Sequence, residues 1–279
     1  MHLIADSGST KTNWCLVDGK SVILEIFTAG INPFYQDKVA ISKEIEKELV
    51  PKIKSYKINA ITFYGAGCSF PEKKAVVGNA LGKHFPDTTI EVQSDLLGAA
   101  RSLFGRNEGI ACILGTGSNS CYYDGKTIVE NVSPLGFILG DEGSGAVLSK
   151  TLVADCLKKQ MPEHLSTQFM NKYELTPAAI LENVYKKPFP NRFLAQFTPF
   201  ISANIHEPAI QAIVYNGFTS FFKRNISQYP IDKEIGFVGS VAHHLSKVLQ
   251  QVASDHNYKI VTIVQNPMNG LVLYHSQLL

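Results

Sequence analysis

Three short runs in this chain carry residue types that can hold phosphate or move a proton. The first is DSGSTK, from Asp6 to Lys11, between the apolar run LIA and CLVDG. The second is GTGSN, from Gly115 to Asn119, between ACIL and SCYY. Each reads as a tight polar turn joining two strands. Such a turn can point backbone N–H groups and hydroxyls at one spot, which suits phosphate oxygens, and its glycines let a phosphate approach the backbone closely. The donors expected are Ser7, Gly8, Ser9, Thr10 and Lys11 in the first turn, and Gly115, Thr116, Gly117, Ser118 and Asn119 in the second. Neither run is a Walker A loop, and Gly115 and Gly117 lack the third glycine of a dinucleotide fingerprint, because position 120 is Ser. Asp6, at the end of the first strand, could serve a metal beside phosphates or cap its own turn. Asp95, in TIEVQSDLLGAA, ends a strand and opens a helix. A carboxylate there could accept a proton or act as helix N-cap, a role for which Ser94 competes.

The two turns are related. Residues 4–23 overlie 110–129 at a constant offset of 106, with eight of twenty positions identical: Ile4/Ile110, Ala5/Ala111, Thr10/Thr116, Asn13/Asn119, Cys15/Cys121, Asp18/Asp124, Gly19/Gly125 and Lys20/Lys126. A match of that density without gaps is best explained by duplication. Asp6 breaks the symmetry, since its counterpart is Cys112. One acid beside a polyphosphate can hold a cation, whereas two would add repulsion.

The elements needed to position these residues follow from the pattern. Each copy reads strand, polar turn, strand, DG hairpin, third strand. In the first half, ISKEIEKELVPKI, PEKKAVVGNALGKHF and LLGAARSLF read as helices, alternating with strands INAITFYGAG and TIEVQSD. In the second half, GDEGSGAVLSKTLVADCLKK reads as one long helix opening at Asp141 and Glu142, acids that suit a helix N-terminus. A Pro- and aromatic-rich helical region follows over 162–228, its Phe169, Phe189, Phe193, Phe197 and Phe200 forming either a core or a partner surface. Strand EIGFVGS, helix VAHHLSKVLQQVA, strand YKIVTIV and closing helix PMNGLVLYHSQLL complete the chain. Two α/β domains are expected, 1–107 and 108–279, with a cleft between them and the closing helix, 267–279, packing back on the first.

Composition removes other classes. The 279 residues are 45% hydrophobic and 18% charged, with net charge +2 and no basic block, which leaves nucleic-acid binding without support. Lys43, Lys47, Lys52, Lys54 and Lys57 alternate with Glu44, Glu46 and Glu48, the pattern of a solvated helix face. No apolar run has the length of a membrane span and no leader is legible. Five cysteines without a CxxC pair read as reduced core thiols of a cytoplasmic protein. Eight histidines without HxH or HExxH spacing give no zinc site.

DSGSTKTNW, GTGSNS and GDEGSG, in that order over nearly the whole chain, resemble the sugar kinase, Hsc70 and actin superfamily of ATPases, and within it the BadF/BadG and N-acetylglucosamine kinase family. The resemblance implies duplicated actin-like ATPase (RNase H-like) domains and an enzyme that transfers phosphate from Mg-ATP to an amino sugar, N-acetylglucosamine to its 6-phosphate. In that family an early acid serves the metal, here Asp6, and the two turns grip the nucleotide, here through Ser9, Thr10, Lys11, Gly115, Thr116, Gly117 and Ser118, with Gly239 and Ser240 on the adenosine side. Asp95 matches the base. Asn32 in GINPF, Gly65 and Ala66 in YGAG, Thr116, Gly136, Asp141 and Gly145 match sugar contacts. The partner implied is a small sugar, with no membrane and no nucleic acid; relatives form dimers, so a homodimer is expected although no interface is legible. Two departures stand out. A GWG tryptophan before the GDEGS motif is replaced by Leu135, which opens the choice of hexosamine to glucosamine or N-acetylmuramic acid. The cysteine with which a BadF-type activator holds an iron–sulfur cluster is absent. That argues against an ATPase driving a partner protein, and the intact Asp6 and Asp95 argue against a sugar-responsive binding protein without catalysis.

Overall fold

The computed structural model describes residues 1–8, 10–230 and 232–276. Its strands form two five-stranded sheets. The first contains β1 (His2–Ser7), β2 (Lys11–Asp18), β3 (Ser21–Ala29), β4 (Ala60–Gly65) and β5 (Thr89–Ser94), in the order β3-β2-β1-β4-β5. The second contains β6 (Gly109–Leu114), β7 (Ser118–Tyr123), β8 (Ile128–Val132), β9 (Ile235–Val238) and β10 (Ile260–Val264), in the order β10-β9-β6-β7-β8. Read from the hairpin edge, the two orders are the same, which is what duplication requires. In the first sheet β1, β2 and β3 pair antiparallel, while β1, β4 and β5 run parallel. In the second, β6 is parallel to β9 and β9 to β10.

The chain divides into two compact units. One comprises Met1–Glu108, Tyr123–Ile128 and Asn266–Leu279, the other Gly109–Tyr122 and Val129–Gln265. In the first unit Leu3, Ala5, Trp14, Leu16 and Phe63 pack under helices Lys38–Glu44 and Pro71–His84, while Ile4, Cys15, Val17 and Tyr64 meet Met268, Leu271 and Val272 of helix Met268–Ser276. The lysines of 43–57 are all exposed, as a solvated face demands. The helix expected over 41–53 begins at Lys38 and contains a π turn, Ile45–Leu49, just before Pro51. Proline cannot supply the i→i−4 bond, and the wider turn accommodates that loss.

In the second unit Phe169, Phe197, Phe200, Phe218, Phe221 and Phe222 are buried in one core with Phe237 of β9. Phe169 and Phe197 meet edge-to-face at 5.0 Å. The aromatic-rich helices are therefore core for these rings, while Phe189 remains 36% exposed. Two helices differ from expectation. The long helix starts at Gly145 and ends at Leu157, so Asp141 and Glu142 lie in the loop before it and Ser144 is the cap, accepting from Val147 N at 3.2 Å. The helix read over 241–253 is two, Ser240–His244 and Ser246–Asp255, with Leu245 outside helical geometry. All five cysteines are buried, and none forms a disulfide. Among the described residues no helix is long and apolar enough to cross a membrane.

Candidate active site

In the first unit the polar residues gather where β1, β4 and β5 end. In parallel α/β sheets that edge is where ligands bind. Asp95 follows β5 directly and is the first residue of helix Asp95–Phe104. Ser94, its N-cap, accepts from Leu97 N at 3.2 Å, and Asp95 Oδ1 accepts from Leu96 N at 2.9 Å. Capping thus belongs to Ser94, which leaves the second Asp95 oxygen for other work. The helix is anchored by buried Leu96, Leu97, Ala99, Ala100 and Phe104, and Gly98 lets it lie on Tyr64, where a Cβ would come within 2.9 Å. Burial pushes the Asp95 carboxyl up to about 6, opposed by the Leu96 N–H. Asp6 is pushed up to about 7, first by burial and then by the charge of Asp95, with Lys11 opposing. Two neighbouring carboxyls with raised affinities for protons, Asp6 lifted partly by the charge of Asp95, mark a site built for chemistry.

The first turn uses part of its donor set internally. Ser7 is fully buried. Its hydroxyl lies 2.7 Å from Thr12 Oγ1 and 3.1 Å from Ile31 O, and it accepts from Ile31 N at 3.0 Å. Gly8 N donates to Lys11 O at 3.1 Å. Ser7 and Gly8 therefore shape the turn, and Thr10 and Lys11 remain exposed at its tip. Ser9 lies outside the described residues. Ser7 also holds the 30–34 loop, which carries Asn32 to this end of the sheet. Asn32 is buried, with its Oδ1 accepting from Phe34 N at 3.0 Å. Gly65 ends β4 opposite Ser94, and Ala66 N donates to Ser7 O at 2.8 Å. Asp6, Asp95, Asn32, Gly65 and Ala66 thus meet at one edge.

The second unit assembles its own set. Gly115 N donates to Gly117 O at 2.9 Å, closing the turn. Asp141 braces it: Oδ1 accepts from Ser118 N at 3.2 Å, and a Cβ on Gly117 would approach Oδ2 to 3.1 Å. Asp141 is 9% exposed, and burial pushes it up to about 6 against the pull of the Ser118 N–H. Gly145 N donates to Gly115 O at 2.8 Å and Ala146 N to Thr116 O at 3.1 Å, so the helix start is locked to the same turn. Gly239 follows β9 at φ +129, where a Cβ would collide with Leu114 O, and Ser240 next to it is exposed. The structure therefore brings Gly115–Ser118, Asp141, Gly145 and Gly239 together, with Ser240 beside Gly239. Gly136 opens the short, largely exposed helix Gly136–Leu139, and the loop before it is tied to Asp141, whose N donates to Pro134 O at 2.8 Å.

Asn13 is a residue that sequence reasoning passed over as chemistry. It sits opposite Asp6 in the β1–β2 ladder, is 9% exposed, and its Oδ1 has no hydrogen-bond partner. Its identity with Asn119 across the repeat was the available signal.

Two sheets of one topology with polar turns after the first strand of each define the actin-like ATPase fold, and comparison with solved structures bears this out. The chain is 49% identical to a candidate N-acetylglucosamine kinase of Porphyromonas gingivalis, covering 99% of each chain with a TM-score of 0.96. A candidate N-acetylglucosamine kinase of Chromobacterium violaceum shares the fold at 15% identity, 98% coverage of each chain and TM-score 0.71. Component A of (R)-2-hydroxyglutaryl-CoA dehydratase from Acidaminococcus fermentans does so at 15% identity, with 99% and 96% coverage and TM-score 0.51. No family model and no curated protein matches the chain. The chain belongs to the family of the 49%-identical candidate N-acetylglucosamine kinase and has the actin-like ATPase fold. It is a sugar kinase, and that class uses ATP.

Proposed function

We propose that this kinase phosphorylates an amino sugar, N-acetylglucosamine at its 6-hydroxyl, from Mg-ATP. The observation that carries the reading is Asp95: a half-buried carboxylate at the edge where β1, β4 and β5 end, relieved of capping by Ser94 and raised to about 6. A base poised near the working pH accepts a hydroxyl proton efficiently yet is still ionised at neutrality. The name carried by the 49%-identical relative supports the choice of sugar.

In this reading Asp95 takes the proton of the sugar hydroxyl. Asn32, Gly65, Ala66, Asp141, Gly136 and Gly145 orient the sugar. Thr10 and Lys11, with Thr116, Gly117 and Ser118, steady the phosphates, and Gly239 and Ser240 flank the nucleoside. Phosphoryl transfer asks the protein mainly for positioning and charge stabilisation, which these short rigid turns supply. Asp6 fits Mg²⁺ because its carboxylate offers the hard oxygen donors this cation prefers, beside a buried amide oxygen, Asn13 Oδ1, that no protein donor satisfies. Bound there, the cation would neutralise phosphate charge. Five buried cysteines without a disulfide fit a reducing compartment such as the cytoplasm.

The test is ADP release from Mg-ATP against a panel of hexoses and hexosamines, with and without acetyl groups, and a blank without sugar. Stimulation by N-acetylglucosamine supports the reading, with the product's phosphate position assigned by NMR. A flat panel with steady background hydrolysis would overturn it in favour of an ATPase acting on a protein partner.

A further inference from the structure

The two copies of the repeat treat the same asparagine differently. In the second unit Asn119 Oδ1 accepts from Ser120 N at 2.9 Å and from Asn131 Nδ2 at 3.0 Å. In the first unit Asn13 Oδ1 is buried and accepts from nothing. The offset of 106 that aligns Asn13 with Asn119 also aligns Glu25 with Asn131 and Asp6 with Cys112. An amide that donates has thus become a carboxylate that cannot, and a thiol has become a second carboxylate.

These changes surround one space. A cavity of about 300 Å³ in the first unit is lined by Asp6, Lys11, Asn13, Glu25, Asn266 and Asn269. Asp6 and Asn13 are cross-strand partners, so their side chains share one face. Lys11 is the one cation of the lining, and its ammonium lies 5.1 Å from the centre of the Phe27 ring. A buried amide oxygen without a donor is costly unless something fills the gap. Two carboxylates and the unsatisfied Asn13 oxygen face this space, while the Lys11 ammonium lies over the Phe27 ring, an arrangement that suits a cation or its water shell. Among the described residues no group of three or more Asp, Glu, His or Cys side chains is arranged to hold a metal directly. Mg²⁺ gives up its waters reluctantly and is commonly held through them.

We propose that Asn13 and Glu25 form, with Asp6, an outer cradle that hydrogen-bonds the water shell of a divalent cation, and that this cradle is the feature separating the first copy of the repeat from the second. The inference rests on the assignment of Asp6 to the metal in the proposed reaction. Asn13 and Glu25 are positioning residues: they orient metal-bound water and do not touch the transferred phosphate.

The probe is Mn²⁺ alone, titrated into the full chain without nucleotide or sugar, with free Mn²⁺ read by electron paramagnetic resonance. Asn13→Leu keeps the side-chain shape and removes the acceptor. Glu25→Asn restores the residue of the second copy and offers Asn13 a donor. Each should raise the Mn²⁺ Kd about tenfold, the usual scale for loss of an outer-shell partner, while Glu25→Asp stays close to wild type. Glu25 is exposed, so its variants fold even if Asn13→Leu does not. Unchanged affinity in Glu25→Asn, or no Mn²⁺ uptake by the wild type, overturns the proposal and leaves a water-filled cavity. The outcome is separable from the kinase reading. Sugar-stimulated ADP release with unaltered Mn²⁺ binding in the variants would sink the cradle alone. Weakened Mn²⁺ binding with no sugar response would sink the kinase assignment and keep the cradle.

Discussion

The turn after β1 and the turn after β6 stand at equivalent places in two copies of one sheet, yet they are held by different means. The first is tied from within and from the 30–34 loop, through the buried Ser7 hydroxyl and the Gly8 N–H. The second is braced from outside by the Asp141 carboxylate and by the first residues of helix Gly145–Leu157. The strand ends differ as well. β5 leads into Asp95, whereas β10 ends at Val264 and continues into Gln265 and Asn266. Duplication supplied two equivalent scaffolds. Substitution then gave Asp6 and Asp95 to one and the Asp141-braced, glycine-lined turn to the other.

The comparison can be broken most directly at Asp95. Asp95→Asn should lower kcat by about 10²–10⁴-fold, the usual worth of a general base, with the KM for sugar changed only a few-fold. Steady-state ADP release measures both, and a rate near wild type would show that the first unit does not carry the base.

Gly239 tests how tightly the second scaffold is packed. At φ +129 and against the Leu114 carbonyl, Gly239→Ala should cost about 2–4 kcal/mol by urea unfolding. Gly19, at φ +58 with nothing within 4 Å of a Cβ, should lose only about 1 kcal/mol in Gly19→Ala. Equal losses would mean that strain, and not the close approach of two strand ends, sets the need for glycine at 239.

Asp141 sharpens the contrast between the braces. Asp141→Ala leaves the Ser118 N–H buried without an acceptor, so it should cost about 1–3 kcal/mol and raise the KM for ATP. Asp141→Asn retains a carbonyl for that N–H and should keep most of the stability. If both variants behave alike in unfolding, the brace is not what shapes the turn.

The smallest effect is a stability gain in the impaired variant. The Asp95 carboxyl is raised in the folded state to about 6 from the ordinary aspartate value of 3.8. Its ionisation therefore opposes folding above pH 6, and the opposition vanishes below the unfolded value. Asp95→Asn should be more stable than wild type at pH 7.5, by on the order of 1 kcal/mol, and the gain should fade below about pH 4. By the same titration kcat/KM of the wild type should climb as pH rises through about 6. Thermal unfolding and rate profiles across pH 4–8 check both, and a variant less stable than wild type at pH 7.5 would contradict the burial argument.

Much of this was legible in the chain. The repeat, the strand–turn–strand pattern and the DG hairpins are local. They follow from side-chain periodicity and from backbone preferences that a few residues set by themselves, and the position of Asp95 at a strand–helix junction follows likewise. The start of helix Gly145–Leu157 was misread because acids suit any helix N-terminus, and Ser144 competes with Asp141 for the cap. The choice went to Ser144 once Asp141 found the Ser118 N–H, a partner 23 positions back along the chain.

What the sequence alone determined is the set of elements, their duplication and the residue types at the two turns, since these depend on neighbours within one turn or one hairpin. Only the tertiary structure decided which donors stay free, because Ser7 and Gly8 are satisfied by Thr12, Ile31 and Lys11, whose positions depend on strand pairing and a distant loop. It also decided that the Asp6 and Asp95 carboxyls are raised, since their burial, and the charge of Asp95 acting on Asp6, arise only when β1 and β5 are drawn to the two sides of β4. And it left Asn13 without the donor that Asn119 has, a difference invisible in two identical letters and set by what the third strand of each sheet places beside them.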